Sequence, residues 1–405
     1  MSVRPTVADW ATDFDHLDPR WVNDPFPIWE ELRKRCPVAR TERFQGVYFP
    51  SRYEDVRAIA YDTEHFSSRR IIVRESPPPP IPAPPITSNP PEHRPARMVL
   101  LPPFTPDAIK KLEPRARALC NELIDKFVDR GTADAAVEYA QEIPVRLIAH
   151  MLGLPETDGD LYRRWIKMVL EDGITDIGAV IQASGEMEAY FRGHLQGRIQ
   201  NPGDDLITYL SKAEFNGKKL TPDNIVGSVK LLLIAGIDTT WSAIGSCIWH
   251  LAQHAGDRRR LSQQPELMPL AIEEFLRAYA PVTMAREVVK ETEINGCTFK
   301  PGKMVLLSFP AACRDPDMFP DADKVIIDRK ENRHAAFGLG IHRCVGSNLA
   351  RMEMTVAVEE LLKRIPEFTL AGEVTWSEGT VRGPRKLPIS FKRDQHAATH
   401  ASSRQ

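Results

Sequence analysis

The segment FGLGIHRCVG, residues 337–346, places the thiol of Cys344 among three closely spaced glycines. Glycine makes up about 7% of an average protein, so three glycines at fixed positions arise by chance about three times in ten thousand. Glycine permits a positive φ and lets another group approach the backbone closely. The segment therefore predicts a tight loop that holds the sulfur beside a flat, closely packed group.

A helical pattern, VGSNLARMEMTVAVEELLKRI, follows this loop and directs its N-terminal dipole toward the sulfur. Loop amides can also donate to the sulfur, and both effects favour thiolate over thiol. The alternative interpretation is a glycine-rich turn that caps a helix and holds a buried cysteine. The other five cysteines form no CxxC or CxxxC pair, which argues against zinc, an iron–sulfur cluster or a disulfide framework.

The composition is that of a globular protein with a large core. The chain has 405 residues, is 42% hydrophobic and carries a formal charge of -2, which argues against disorder and gives no electrostatic case for nucleic acid. The N-terminus lacks a signal-peptide core, and Lys230 and Asp238 bracket the apolar run 231–237, far short of the ~20 residues that cross a bilayer. We expect a cytoplasmic protein that binds neither nucleic acid nor a membrane.

The pattern along the chain is mainly helical from residue 110 to about 281. In the clearest helix, residues 220–256, Thr221 suits the N-cap, Pro222 the first turn and Gly256 the C-terminal cap, giving a length of ~50 Å. Gly131 is predicted to cap an earlier helix. Strand patterns are short and lie at 46–50, at 292–309 with a glycine-containing hairpin, and at 368–374 and 387–392.

Prolines cluster in residues 76–103, which argues against regular helix or a central strand there. Such a stretch can be a domain linker or a polyproline recognition motif. Because it carries Ile81 and Ile86 and runs directly into a helical pattern, we favour an ordered loop packed on its own domain.

Two further motifs lie on predicted helices. AGIDTT, residues 235–240, puts Asp238 and Thr239 within an apolar helix, where the Thr239 hydroxyl can bond to a carbonyl one turn earlier and Gly236 leaves room for a bound diatomic molecule. Alone, this motif is equally compatible with an exposed polar face. Glu274 and Arg277, spaced i, i+3, are alone typical of a surface ion pair.

Together these segments resemble the cytochrome P-450 superfamily, with a haem-binding cysteine loop, an AGxDT oxygen-activating motif and an ExxR pair in the expected order. The resemblance spans essentially the whole chain. It implies a mainly α, single triangular helical domain with a long central helix and small β-sheets, over residues 1–393. A polar tail, residues 394–405, is expected to be disordered.

The resemblance implies haem b with the thiolate of Cys344 as the axial iron ligand, a ligand that favours O–O cleavage. Thr239 would hydrogen-bond dioxygen or the water that delivers its protons, and Asp238 would relay protons from solvent. Glu274 and Arg277 would stabilise the region under the haem, although Lys324 and Val325 stand where the family often has arginine and an aromatic residue. The implied haem contacts, of which the basic residues would meet the propionates, are His93, Arg97, Arg286, His342, Phe337, Gly338 and Ala235. Pairing of His93 with Arg97 requires a helix that begins near His93 and keeps Pro95 in its first turn.

The implied activity is insertion of one oxygen atom of O2 into a small or medium-sized hydrophobic substrate, by hydroxylation or oxidative dealkylation. Electrons would come from NAD(P)H through a reductase and a ferredoxin or flavodoxin-like partner that docks on the Cys344 side of a monomer. The pocket would be formed by residues 71–87, 165–181, the 282–284 turn and the Val381 region, and by helix residues including Ala235. The substrate contacts that we select are Leu231, Ile234, Val282 and Met284.

Three other functions are compatible with parts of the sequence. A peroxygenase, or a haem-thiolate lyase or reductase, keeps the fold but does not need the pair Asp238 and Thr239, whose presence disfavours it. A silent haem carrier or sensor leaves Thr239 unexplained. A helical scaffold without a cofactor would be colourless.

Overall fold

The computed structural model describes residues 4–76 and 81–392. Helices dominate it, and the long helix α12 packs against α8, α10 and α16. The predicted tail, 394–405, lies outside the described residues, and the single domain over 1–393 stays a prediction. The helices are α1 (Trp10–Asp13), α2 (Pro19–Asn23), α3 (Phe26–Arg35), α4 (Tyr53–Tyr61), α5 (His93–Leu100), α6 (Pro106–Lys110), α7 (Glu113–Asp125), α8 (Glu142–Leu152), α9 (Gly159–Leu170), α10 (Ile177–Gln200), α11 (Leu206–Lys212), α12 (Pro222–Gln253), α13 (Ala255–Gln263), α14 (Met268–Ala278), α15 (Phe309–Ala312) and α16 (Ser347–Arg364).

The strands form small sheets, as the sequence predicted. The largest has five strands in the order β1-β2-β10-β7-β3, in which β10 runs parallel to β2 and antiparallel to β7. The predicted hairpin is β8–β9, and Asn295 and Gly296 at its turn both have positive φ. The strands are β1 (Val38–Thr41), β2 (Val47–Pro50), β3 (Phe66–Ser67), β4 (Thr132–Asp134), β5 (Glu214–Phe215), β6 (Lys218–Lys219), β7 (Thr283–Val288), β8 (Thr292–Ile294), β9 (Cys297–Phe299), β10 (Met304–Ser308), β11 (Phe368–Leu370), β12 (Thr375–Trp376), β13 (Pro384–Lys386) and β14 (Pro388–Phe391).

The long helix α12 begins as predicted and ends earlier. The Thr221 hydroxyl accepts from the Asn224 amide, and Pro222 is the first helical residue. The predicted cap at Gly256 is wrong, because α12 ends at Gln253 and Gly256 lies inside α13. Gly131, with φ +72°, ends a short 3-10 turn after α7 instead of α7 itself.

Helix α12 connects two hydrophobic clusters. Its first half, from Ile225 to Ile237, packs with α8 to α11, and its second half, from Trp241 to Ala252, packs with α7, α14 and α16. By length and composition α12 could cross a membrane, which differs from the sequence-based expectation, but 67% of its most apolar window is buried in the protein. Residues 235–239 thus lie where the two clusters meet.

The proline-rich stretch is only partly a loop. Helix α5 begins at His93, inside the segment predicted to be non-helical, and Pro95 lies in its first turn, where a missing amide proton costs nothing. Before α5 the chain packs on α12, since the Ser228 hydroxyl donates to the Pro84 carbonyl at 3.3 Å. Within the described residues, the stretch is therefore packed on the helical body as predicted.

Candidate active site

A cavity of about 940 Å³ lies between α12, α5 and the loop that precedes α16. The sulfur-bearing Cys344 lines one side, while Ala235 and Thr239 of α12 line the other. Cys344 is exposed to this space although it lies deep in the molecule. Among the described residues, none of the other five cysteines lines the cavity.

The loop around Cys344 is held by its own backbone. The Cys344 amide donates to the Phe337 carbonyl at 2.8 Å, and the Gly338 amide donates to the Ala335 carbonyl at 2.8 Å. Gly340 has φ +71°, and a Cβ there would collide with the Ala60 carbonyl oxygen of α4. The glycine at 340 is therefore required both by its conformation and by the close approach of α4.

Opposing effects act on the pKa of the Cys344 thiol. Burial raises the pKa of the Cys344 thiol, while the Gly346 amide and the charge of Arg97 lower it. The predicted contribution of a loop amide is present, the charge of Arg97 was not predicted, and burial outweighs both in the protein alone. A metal cation bound to the sulfur deprotonates such a thiol outright.

Four basic residues converge beside the sulfur. His342, Arg97 and Arg286 line the cavity, and His93 lies next to His342, edge to face with ring centroids 4.5 Å apart, without lining the cavity itself. The Nε2 atoms of both histidines are buried without a partner, and neither arginine has a carboxylate partner in residues 4–76 and 81–392. Burial lowers the pKa of His342 to about 3, with the charge of Arg286 adding to the effect, and burial lowers the pKa of Arg286 to about 10.

The opposite wall carries the acid and the alcohol. The Thr239 hydroxyl donates to the Ala235 carbonyl at 2.7 Å, and Thr239 lines the cavity. Asp238 is turned away and buried, and its Oδ1 lies 2.8 Å from Nη2 of Arg385. Burial raises the pKa of Asp238 to about 6 against the opposing charge of Arg385. Sequence reasoning missed Arg385, because it lies 147 positions along the chain, in β13.

Gly236 lies on the cavity wall beside Ile148 of α8. A Cβ at Gly236 would meet the side chain of Ile148, 3.1 Å from its Cγ1. The missing side chain therefore allows α8 to pack closely against α12, and the role of Gly236 in leaving room for a diatomic molecule stays a prediction.

The pair Glu274 and Arg277 is completely buried, with a bidentate contact of 2.8 Å on both arms. Its third member is Arg329, whose Nε donates to Glu274 Oε2 at 3.0 Å. Lys324, which stands where the family often has arginine, gives this network only its carbonyl oxygen. Its ammonium pairs with exposed Asp321 instead. Sequence reasoning missed Arg329, which no spacing rule connects to Glu274.

The structure places all four selected substrate contacts, Leu231, Ile234, Val282 and Met284, on the cavity wall. Trp165 and Ile181, which bound the predicted segment, do not line it, since the first is packed in the core and the second is 52% exposed. Phe337, Gly338 and Val381 do line it. The wall also carries charged side chains that the expectation of an apolar pocket did not consider, among them Arg74, which lies within the predicted segment 71–87, and Lys230.

Comparison with known proteins identifies the class of this fold and site. Residues 159–368 match the family model described as cytochrome P-450. A Bacillus megaterium crystal structure in complex with testosterone superposes with a TM-score of 0.86 at 32% identity, covering 91% of this chain and 98% of that one. The mycinamicin IV hydroxylase/epoxidase of Micromonospora griseorubida is 34% identical over 89% of this chain and 94% of its own length. The vitamin D(3) 25-hydroxylase of Pseudonocardia autotrophica is 33% identical, over 92% and 94%.

The chain belongs to the cytochrome P-450 family. It is a haem-dependent monooxygenase with haem b and a cysteine thiolate as the axial ligand, and both the fold class and the cofactor predictions are confirmed. The residues present fit this group. Among the described residues, the cavity offers one sulfur, the unpartnered buried imidazole of His342, and the arginines Arg97 and Arg286 without carboxylate partners, which suits an iron porphyrin with two carboxylates.

Proposed function

We propose that this chain inserts one atom of O2 into a small or medium-sized, largely apolar organic substrate, by hydroxylation or oxidative dealkylation. The observation that carries the proposal is the single cavity shared by the sulfur of Cys344, the hydroxyl of Thr239 and the apolar side chains of Leu231, Ile234 and Val282. A cofactor bound at this sulfur supplies the activation of dioxygen. The protein's residues hold that cofactor, deliver protons and exclude water.

Cys344 would bind the haem iron through its sulfur, and four residues would hold the propionates. His93, Arg97, Arg286 and His342 supply donors, and the orphaned imidazole nitrogens and the arginines without acids support the assignment. A buried cation without an anion is costly, so a bound carboxylate removes that cost. Phe337, Gly338 and Ala235 line the remaining contact surface.

Asp238 relays protons from solvent, and Thr239 holds the water that delivers them in the cavity. Asp238 gains and loses a proton near neutral pH because burial raises its pKa to about 6. Arg385 holds the carboxylate away from the cavity and also binds Glu171, whose Oε1 lies 2.8 Å from its Nε and which is partly exposed. Because arginine stays protonated, Arg385 cannot pass on a proton itself. The Asp238 carboxyl must therefore separate from Arg385 before it transfers a proton. The Thr239 oxygen, whose hydrogen is donated to Ala235, can accept a hydrogen bond from a cavity water.

Electrons come from NAD(P)H through a reductase and a ferredoxin or flavodoxin-like protein that docks on the Cys344 side. Arg343, next to Cys344 in sequence, is exposed and gives this side a positive charge. An Arg343→Glu variant is expected to slow reduction by either carrier and to weaken its salt dependence, measured by stopped-flow absorbance. The reaction is placed in the cytoplasm, which the near-complete alignment with bacterial relatives supports.

Replacing the sulfur tests the proposal. Cys344→Ala should abolish the thiolate form of the ferrous carbon monoxide spectrum and substrate oxidation, whereas Cys36→Ala, which alters a cysteine outside the cavity, should change neither. If Cys344→Ala keeps its colour, its thiolate spectrum and its turnover, the assignment is wrong.

Replacing the alcohol separates the monooxygenase from a peroxygenase. Thr239→Ala should divert reducing equivalents to peroxide when dioxygen is the oxidant and should retain turnover with hydrogen peroxide, and Thr239→Ser should stay coupled. Equal coupling of Thr239→Ala and the parent enzyme would favour a peroxygenase, lyase or reductase. A titration in which no apolar compound perturbs the haem spectrum would contradict the pocket assignment.

A further inference from the structure

The cavity wall carries more positive than negative charge. Among the described residues it is lined by six arginines and lysines and by two glutamates, Glu92 and Glu287. Glu287 is 3.6 Å from Arg70, and the proposed propionate contacts account for Arg97 and Arg286. Two buried cations, Arg74 and Lys230, remain without a task in the proposed function.

Arg74 is 6% exposed and its guanidinium contacts only carbonyl groups. It donates to the carbonyls of Gly173 and Val169, the latter at 2.9 Å, and has no carboxylate partner within residues 4–76 and 81–392. Burial lowers its pKa to about 10, so it stays charged at neutral pH. A guanidinium has five N–H donors, so the two carbonyls leave some donors of Arg74 free.

Lys230 lies on the cavity side of α12 and is 7% exposed. Its ammonium is 3.4 Å from the Ser184 hydroxyl and 3.5 Å from Glu188 Oε2. Glu188 is also bound by Arg192 at 2.9 Å, so one carboxylate faces two cations. The Arg192 guanidinium also binds Asp223, so these four charged side chains carry no net charge, and Lys230 keeps only a long, shared contact with Glu188.

Both cations belong to the same wall. Gly173, whose carbonyl binds Arg74, lies against Val180 of α10. Val180 is one helical turn from Ser184, which contacts Lys230. Lys230 precedes Ala235 by five residues, which is about 7 Å along α12.

We infer that this end of the cavity binds the carboxylate of a substrate whose body is apolar. The inference rests on the proposed function and narrows its substrate class to organic acids. An anion there would pair with Lys230 and the free donors of Arg74 by charge-assisted hydrogen bonds. The apolar body would then extend along Ile234 toward Thr239, so oxidation occurs on the order of 10 Å from the carboxylate.

A matched pair of probes tests the inference. The haem-loaded enzyme is titrated calorimetrically with decanoate and with decanamide, which has the same shape and no charge. Decanoate should bind about tenfold more tightly than the amide, the effect of one charge-assisted hydrogen bond. In Lys230→Gln this preference should fall below about threefold with amide affinity unchanged, and in Lys219→Gln, which removes an exposed charge outside the cavity, it should persist.

Arg74→Gln, with Arg74→Lys as the charge-retaining control, repeats the test should Lys230→Gln fail to fold. Equal binding of acid and amide by the parent enzyme, or a preference that survives both Lys230→Gln and Arg74→Gln, overturns the inference. If neither probe binds while other neutral apolar compounds do, the inference fails and the proposed function stands. If no apolar compound binds, both fail.

Discussion

Arg329 is expected to contribute more to stability than Lys324, although the resemblance to the family drew attention to Lys324. Arg329 is 9% exposed and donates to Glu274 Oε2 at 3.0 Å, to the Pro320 carbonyl at 2.7 Å and to the Asp321 carbonyl at 3.2 Å. The Lys324 ammonium contacts only Asp321, and both side chains are more than half exposed. The variants Arg329→Met and Lys324→Met remove these contacts separately.

The magnitude follows from the contacts that each variant loses. A hydrogen bond to a charged group contributes about 2 kcal/mol, and two partly buried carbonyls left without a donor cost about 0.5 kcal/mol each, so Arg329→Met should lose about 3 kcal/mol. Arg277 still compensates Glu274, which keeps the loss below that of a broken buried pair. An exposed pair such as that of Lys324 is worth about 0.5 kcal/mol.

Calorimetric melting of the haem-loaded protein measures the difference. For 405 residues the unfolding entropy is about 0.85 kcal/mol per kelvin, so Arg329→Met should lower Tm by about 3 to 4 °C and Lys324→Met by less than about 1 °C. Arg329→Lys, which keeps the charge and loses the fork, should fall between them. Equal shifts for Arg329→Met and Lys324→Met would refute the assignment of Arg329 to the buried network.

Three further variants test the site. Burial raises the pKa of Asp238 from 3.8 to about 6, so the folded protein loses about 2 kcal/mol of stability through ionisation of Asp238 as pH rises from 4 to 6, and Asp238→Asn should gain about 2 °C in Tm relative to the parent over that interval. A flat difference between the two melting curves would contradict this. Gly340→Ala should lose at least about 1 to 2 kcal/mol in urea unfolding, because φ is +71° and the new Cβ meets the Ala60 carbonyl, whereas no loss would show that α4 can move. Arg286→Met should speed transfer of haem to excess apomyoglobin, and an unchanged rate would remove Arg286 from the propionate contacts.

Local sequence rules predicted the elements and the residues that lie on them. The cap at Thr221, the hairpin at Asn295 and Gly296, and the helix after Cys344 all depend on neighbouring residues, and the structure has each of them. The caps predicted at two glycines are exceptions, because His254 ends α12 before Gly256 is reached and Gly131 ends the 3-10 turn that follows α7. Glycine near the end of a helical pattern is only a statistical signal for a cap.

Contacts between distant segments could not be predicted in this way. Arg385 reaches Asp238 only because β13 crosses α12, and Arg329 reaches Glu274 through a loop 55 residues away. Gly236 shows the same limit, since its neighbour Ile148 belongs to another helix. A single sequence names which residues can ionise or pack, and the tertiary fold decides which partner each one meets.

The arrangement of charge around the cavity has a common physical cause. Asp238 is kept out of the cavity by Arg385, while Arg286 near the sulfur and Arg74 at the other wall are buried without carboxylate partners in the described residues. Burying an arginine without a carboxylate partner costs stability, and this occurs at two places on the wall of one cavity. At the first place the proposed contact with a haem propionate would remove the cost. At the second place the carboxylate of the proposed acidic substrate would do the same, so one physical argument supports both assignments.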